Sequence, residues 1–272
     1  MSIPLTTNPD NQPRQTMKTT IKTTMKTTMI TGAIAIALAA PAYAELEGEL
    51  SLSYDSQYSY RGMNDLLSQR YDGATDDAIT TELNVSYGLS DQWSLVAGAA
   101  VATISDGEDF DPARYHGGLR YTAECYTLEL GYQQQDLPIG GFPATSEIYL
   151  NLGTKCPLTG GNLNLFVAHD IDLLEGTYVE LSLNKGWDLS ETVKLDVTVG
   201  VSYSFDYWDN IIATGSDFNH AYITVGLPIA ATDNLTVTPY VSYSQGFDAL
   251  DLAGAGEEDD EFIFGVKASV KF

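Results

Sequence analysis

Phe262-Ile-Phe-Gly-Val-Lys-Ala-Ser-Val-Lys-Phe272 closes the chain on a near-strict alternation. Phe262, Phe264, Val266, Ala268, Val270 and Phe272 share one face at period two; Gly265, Lys267, Ser269 and Lys271 share the other, and Ile263 alone is out of character. Successive side chains of a strand point to opposite faces, so this strand has an apolar side and a polar side. In a soluble sandwich the apolar side covers a core. In a membrane barrel it meets lipid while the polar side meets a lumen. An aromatic carboxy-terminus after such a strand resembles an outer-membrane sorting signal. The residues upstream decide between the two settings.

At the other end, Met17 to Ala44 reads as a secretory leader. Lys18, Lys22 and Lys26 supply positive charge, Met29-Ile-Thr-Gly-Ala-Ile-Ala-Ile-Ala-Leu-Ala39 is an apolar run, and Ala42-Tyr43-Ala44 is an A-x-A cleavage site. The run is shorter than the roughly 20 residues a helical span needs. The expectation is a leader over residues 1–44, with Met17 as an alternative start, and a mature domain over 45–272. Export without a further helical span leaves a secreted sandwich or an outer-membrane barrel.

Between the ends, about twelve two-faced segments recur without a long helical pattern. They cover residues 50–60, 79–89, 93–104, 114–122, 126–134, 146–154, 163–169, 177–187, 193–205, 219–229, 235–244 and 262–272. Most approach the roughly 9–11 residues of a tilted membrane strand. Their connections alternate. Ser90-Asp-Gln92, Ala123-Glu-Cys125 and the segments 188–192 and 230–234 are short; 62–78, 105–113, 206–218 and 245–261 are long. Short turns on one side and long loops on the other are a barrel pattern. A Greek-key sandwich has no reason to sort its loops this way. The expected fold is all-β: a transmembrane, antiparallel, up-and-down β-barrel of about 12 strands with both ends in the periplasm.

The aromatics form two belts on the same basis. Tyr87, Trp93, Tyr121, Tyr126, Trp187 and Phe272 lie beside short turns; Tyr58, Tyr60, Tyr115, Tyr132, Tyr203, Phe205, Tyr243 and Phe262 lie beside long loops. Amphipathic rings collect at the two membrane–water interfaces.

The chain holds 13 Lys and Arg against 37 Asp and Glu, a net charge of −24. Without the leader's Arg14, Lys18, Lys22, Lys26 and Asp10, 9 basic and 36 acidic residues remain, a net of −27. Nucleic acid is excluded as a partner, because phosphate binding needs clustered bases. Twenty-two of the acids fall in the long loops from Asp65 to Glu261, with Arg70 the one base well inside them. They read either as a solvated acidic surface or as weak divalent-cation ligands toward lipopolysaccharide. Glu257-Glu-Asp-Asp-Glu261 lacks the spacing of a calcium loop.

Tyr54-Asp-Ser-Gln-Tyr-Ser-Tyr-Arg-Gly62, together with Gly265-Val-Lys-Ala-Ser-Val-Lys-Phe272, resembles the TorF-type porin family of Gram-negative outer-membrane β-barrels. The aromatic-x-aromatic-Arg-Gly element behind a leader is the specific part; the middle of the chain agrees in pattern only. The resemblance implies an outer-membrane barrel with a transport role. Longer and more acidic middle loops leave its substrate class open.

Strand parity lists the residues expected to line a pore: Asp55, Arg61, Glu82, Arg114, His116, Arg120, Glu129, Glu147, Glu180, Lys194, Asp196, His220, Lys267 and Lys271. They read as structural ion pairs, as a selectivity lining, or as both, since charges away from bulk water pair or stay hydrated. Gly98, Ala100, Gly118, Gly131, Gly153, Gly200 and Gly226 on the same face suggest open space. His116, His169 and His220 raise a lipid-hydrolase reading, but none shows the His-x-Ser spacing of one such family. No motif for a cofactor or metal appears, and no catalytic residue is assigned. Cys125 and Cys156 end neighbouring hairpin strands at the expected periplasmic rim. An oxidising compartment favours a disulfide there; two free thiols are the alternative.

The expected function is passive passage of small solutes or ions through the outer membrane. A scaffold, adhesin or envelope-stabilising barrel is the alternative. Expected partners are outer-membrane lipid, lipopolysaccharide and the barrel-assembly machinery, engaged through the strand that ends at Phe272.

Overall fold

The computed structural model describes residues 46–63, 77–105, 111–136, 144–250 and 260–272. The leader, Arg70, Asp109 and the run 257–259 lie outside them. The strands are β1 (Leu46–Asp55), β2 (Ala78–Gly88), β3 (Trp93–Ile104), β4 (Ala113–Thr122), β5 (Tyr126–Asp136), β6 (Thr145–Lys155) and β7 (Asn162–Asp170). They continue as β8 (Thr177–Asp188), β9 (Lys194–Phe205), β10 (Asp217–Gly226), the two-residue β11 (Ile229–Ala230), β12 (Leu235–Gly246) and β13 (Asp260–Lys271). Each long strand pairs antiparallel with its sequence neighbour. The sheet closes where β1 meets β13, Glu49 opposite Lys271, and where β10 meets β12, Val225 opposite Val241. The product is a closed barrel of twelve long strands.

Closure removes the open edges that lipid cannot solvate. The side-chain pattern fits a lipid exterior. Leu52, Leu130, Ile148, Leu181 and Val266 are exposed large hydrophobics on the outer face away from the strand ends. A soluble protein rarely shows so continuous an apolar surface. No helix among the described residues is long and apolar enough to cross a membrane.

One turn chemistry recurs three times at the short-turn end. Leu89 and Ser90 donate their N–H groups to the carbonyl of Trp93, Leu189 and Ser190 to that of Val193, and Ala231 and Thr232 to that of Leu235. In each turn the Ser or Thr hydroxyl accepts the N–H of the same third residue. Hydroxyl residues set turns by capping nearby backbone in this way. At the loop end, the 171–176 connection is as short as the turn 156–161. It is drawn in by Asp170, whose Oδ1 accepts the N–H groups of Asp172 and Leu174 at 3.0 and 2.9 Å.

The structure corrects four expectations. First, β1 ends at Asp55 rather than at Tyr60, and Tyr58 and Tyr60 leave the lipid belt to pack into the barrel mouth. Second, β10 stops at Gly226 rather than at Ile229, where Pro228 has no N–H to continue the ladder. Third, the inward glycines do not leave open space. A Cβ on Gly98 would lie 2.2 Å from the His116 ring, on Gly131 2.5 Å from Tyr149, and on Gly200 2.4 Å from Tyr222. Each glycine makes room for a ring lying across it. Fourth, Cys125 and Cys156 are both free. The register sets Tyr126 opposite Thr154, so Cys125 falls opposite Lys155 and Cys156 one residue beyond. The two cysteines are therefore out of register by one residue.

Loop positions are expected to label from outside intact cells. In a background with both cysteines replaced by serine, Asp172→Cys and Thr214→Cys should react with an impermeant maleimide, whereas Asp91→Cys and Asp233→Cys should not. Reaction at the short turns instead would invert the orientation.

Candidate functional site

The described interior is organised by the loop end of the barrel, not by its middle. After β1 the chain turns inward and makes a miniature hairpin. Tyr60 N–H donates to the Met63 carbonyl at 3.1 Å and Met63 N–H to the Tyr60 carbonyl at 2.9 Å. Arg61 and Gly62 form its tip with φ of 53° and 75°. Positive φ at both central residues matches a type I′ turn. A Cβ on Gly62 would lie 2.5 Å from the His220 ring, so only glycine lets the tip sit this deep. A β-bulge between Phe218 and Ala221 of β10 receives it. The extra residue turns both Asn219 and His220 inward. Asn219 Nδ2 then donates to the Arg61 carbonyl at 2.7 Å, while its Oδ1 accepts Trp208 Nε1 at 2.6 Å.

The Arg61 side chain reaches across the lumen to Glu147 on β6. Nη1 and Nη2 contact Oε1 and Oε2 at 2.7 and 2.9 Å, a bidentate fork. Glu147 is fully buried and also accepts Gln135 Nε2 at 2.7 Å, Tyr207 hydroxyl at 2.5 Å and Gln133 Nε2. The guanidinium lies 4.4 Å from the ring centre of Tyr178, 4.6 Å from Tyr207, 5.3 Å from Tyr60 and 6.0 Å from Phe166. Burial opposes its charge, yet Tyr207, Tyr60 and Glu147 hold its pKa well above the usual arginine value. Burial also pushes the Tyr60 hydroxyl up to about 12. Around this pair, Met63, Leu174, Tyr207, Trp208, Ile212 and Leu250 from four loops form the main apolar cluster among the described residues. A barrel whose large apolar side chains face outward needs no apolar core within, so this cluster acts as a stopper in the loop-end mouth.

Below the stopper a cavity of about 540 Å³ is lined by Arg114, Asn164, Glu180, His220, Tyr222 and Ser244 among others. A second of about 530 Å³ opens at the short-turn end beside Glu47, Trp93 and Arg120. The interior charges largely pair. Arg114 meets Glu82 at 3.3 Å, Arg120 meets Glu129 at 2.8 Å, and Lys267 meets Glu49 at 3.5 Å. Lys194 reaches Asp188 at 3.4 Å near the turn. Tyr149 also donates to Glu129 at 2.7 Å, and Tyr240 donates to Asp55. Glu180 instead receives the hydroxyls of Tyr178 and Tyr222 at 2.7 and 2.8 Å. His116 stands edge-on to Tyr149. Asp196 and Lys271 share the inward parity of their strands, and Asp196 would meet a Cβ on Gly186.

Arg61 and Glu147 thus latch the hairpin to the wall, and parity names both. It passes over Gln133, Phe166 and Tyr178, whose inward positions were readable but whose residue types drew no attention, and Gln135 lies beyond the expected end of its strand at residue 134. Tyr207 and Trp208 lie in a loop, where no periodicity speaks. A further contact was invisible in the spacing: Ser202 Oγ lies 2.7 Å from His220 Nδ1. Both side chains are buried beneath the Gly62 tip, where Asn219 Nδ2 also lies 2.8 Å from the same nitrogen.

No family model matches the chain, and no curated protein matches it. Solved structures do resemble it. One, from work on the in-meso crystallization of membrane proteins, shares 10% identity over 83% of this chain and 84% of that one, with a TM-score of 0.50. The KdgM porin shares 11% over 82% of this chain and 99% of its own, with a TM-score of 0.48. The NanC porin shares 13% over 82% and 100%, also at 0.48. At such identities the likeness is one of fold.

Proposed function

We propose that the chain is an outer-membrane channel of the TorF-type porin class, passing small solutes or ions through a lumen narrowed at its outer mouth. The observation that supports this reading most is the reversal of polarity across one closed wall. Leucine, valine and aromatic side chains face out, while Asp55, Glu82, Arg114, Arg120, Glu129, Glu147, Glu180 and Lys267 face in, and cavities of about 540 and 530 Å³ open toward the two ends. A scaffold barrel has no need of charged cavities at both ends. On this reading His116, Lys194, Asp196, His220 and Lys271 also line the path, the strand ending at Phe272 engages the assembly machinery, and the acidic loops face lipopolysaccharide.

Selectivity follows from charge. Twenty-two acids in the long loops concentrate small cations at the outer mouth through their summed field. The paired interior charges give little net discrimination. The expected result in a planar bilayer is a small conductance with a modest cation preference. Reversal potentials under a salt gradient should weaken as salt shortens the screening length to about 3 Å at 1 M. Anion preference would give control to the interior bases. No conductance from the wild type or from a latch-free variant would favour the scaffold.

A further inference from the structure

The pocket that holds Arg61 is complete without the hairpin that fills it. Glu147, Gln133 and Gln135 come from β6 and β5, Phe166 and Tyr178 from β7 and β8, and Tyr207 from the loop after β9. Of the groups around the guanidinium, only Tyr60 travels with the tip. The wall therefore presents a carboxylate held open by two amides and a phenol, set among aromatic faces. That is the chemistry of a guanidinium site: bidentate acceptance in the plane and ring faces above and below. Arg61 enters it as a ligand would, carried on a turn whose φ of 53° an arginine adopts at a cost that glycine avoids. A cavity of about 540 Å³ adjoins the same side chains, so a free solute in the lumen has a route to the site.

We propose that this pocket is a guanidinium-binding site which the chain occupies with its own Arg61, so that the Tyr60–Met63 hairpin is a tethered plug and guanidinium-bearing solutes compete with it. The inference deepens the channel reading by naming the cation class that the narrowed mouth recognises. A tethered ligand enjoys a high effective concentration. Competition in the wild type therefore needs far more solute than binding to an emptied site.

The test empties the site. Arg61→Gly suits the backbone at that position and leaves Glu147 facing a void. In detergent, calorimetry should show guanidinium or L-argininamide binding the full-length Arg61→Gly protein about tenfold or more tighter than the Arg61→Gly/Glu147→Gln double variant, the loss expected for a bidentate charged contact. Methylammonium should bind neither well. In bilayers, guanidinium should reduce the raised conductance of Arg61→Gly and, at higher concentration, increase that of the wild type. Equal binding to the single and double variants, or equal binding of methylammonium and guanidinium, would overturn the site. If Arg61→Gly folds only when guanidinium is present, that rescue supports the proposal. If it folds under neither condition, the wild-type arm decides: opening by guanidinium but not by methylammonium supports the plug, and no difference refutes it. Binding in detergent requires no conduction, so intact binding with a silent bilayer would sink the channel reading alone.

Discussion

Replacing Glu147 with Leu is expected to destabilise the folded barrel by about 3–5 kcal/mol, the cost of breaking a buried ion pair by removing one partner. The reason lies in what remains. Arg61 would keep its charge, since a guanidinium does not lose its proton in proteins, inside a mouth where its side chain is 9% exposed. Gln133, Gln135 and Tyr207 would each lose the acceptor they share. The double variant Arg61→Leu/Glu147→Leu should recover much of the loss, because an apolar pair of similar volume replaces a buried ion pair at little cost. Denaturant midpoints of the four proteins in one detergent measure the coupling. A double variant as unstable as the single one would show that the three hydrogen bonds from Gln133, Gln135 and Tyr207 to Glu147, rather than the charge pair, hold the mouth together. The hairpin should loosen with the single substitution, so conductance should rise as stability falls.

That latch marks where the sequence stopped being readable. Period-two alternation carried β2 to β9 and β13 to within a few residues, because one face of each strand must satisfy lipid and the other water. The same alternation runs on through Tyr54, Ser56, Tyr58 and Tyr60, so nothing local announces that the chain leaves the wall after Asp55. The turn that takes it inward is made by Arg61 and Gly62, and Arg-Gly is a weaker hairpin signal than Asn-Gly or Asp-Gly. What holds the tip comes from far along the chain, at Glu147, Tyr178, Tyr207, Asn219 and His220. Parity could say that Arg61 and Glu147 both face in. It could not say that they meet, because the distance between strands across a lumen depends on closure and on which loop folds inside. The glycines misled for a related reason. A missing side chain suggests space on one strand, yet the neighbouring strand fills it with a ring.

The outer face allows a sharper test of the membrane itself. Leu130 sits mid-strand on β5, 56% exposed, paired with Leu119 on one side and Leu150 on the other. More than half of its surface is uncovered, so what it meets there is whatever surrounds the barrel. In lipid, Leu130→Arg should cost about 2–4 kcal/mol, the range for a base near the bilayer midplane on a barrel's lipid face. In water the same change would remove an exposed apolar side chain and cost nothing of that order. Lys185 gives the internal comparison. It shares the outer face but lies toward the short turns, with its ammonium over Trp187 at 5.6 Å and donating to the Thr159 carbonyl, the posture of a base reaching for an interface. Leu189→Arg, in the short turn just beyond Trp187 and 59% exposed, should therefore cost less than Leu130→Arg. Folding free energies measured in lipid vesicles across this depth series decide the matter. Equal and small effects at both positions would place the barrel's outer face in water and remove the premise on which its function as a channel rests.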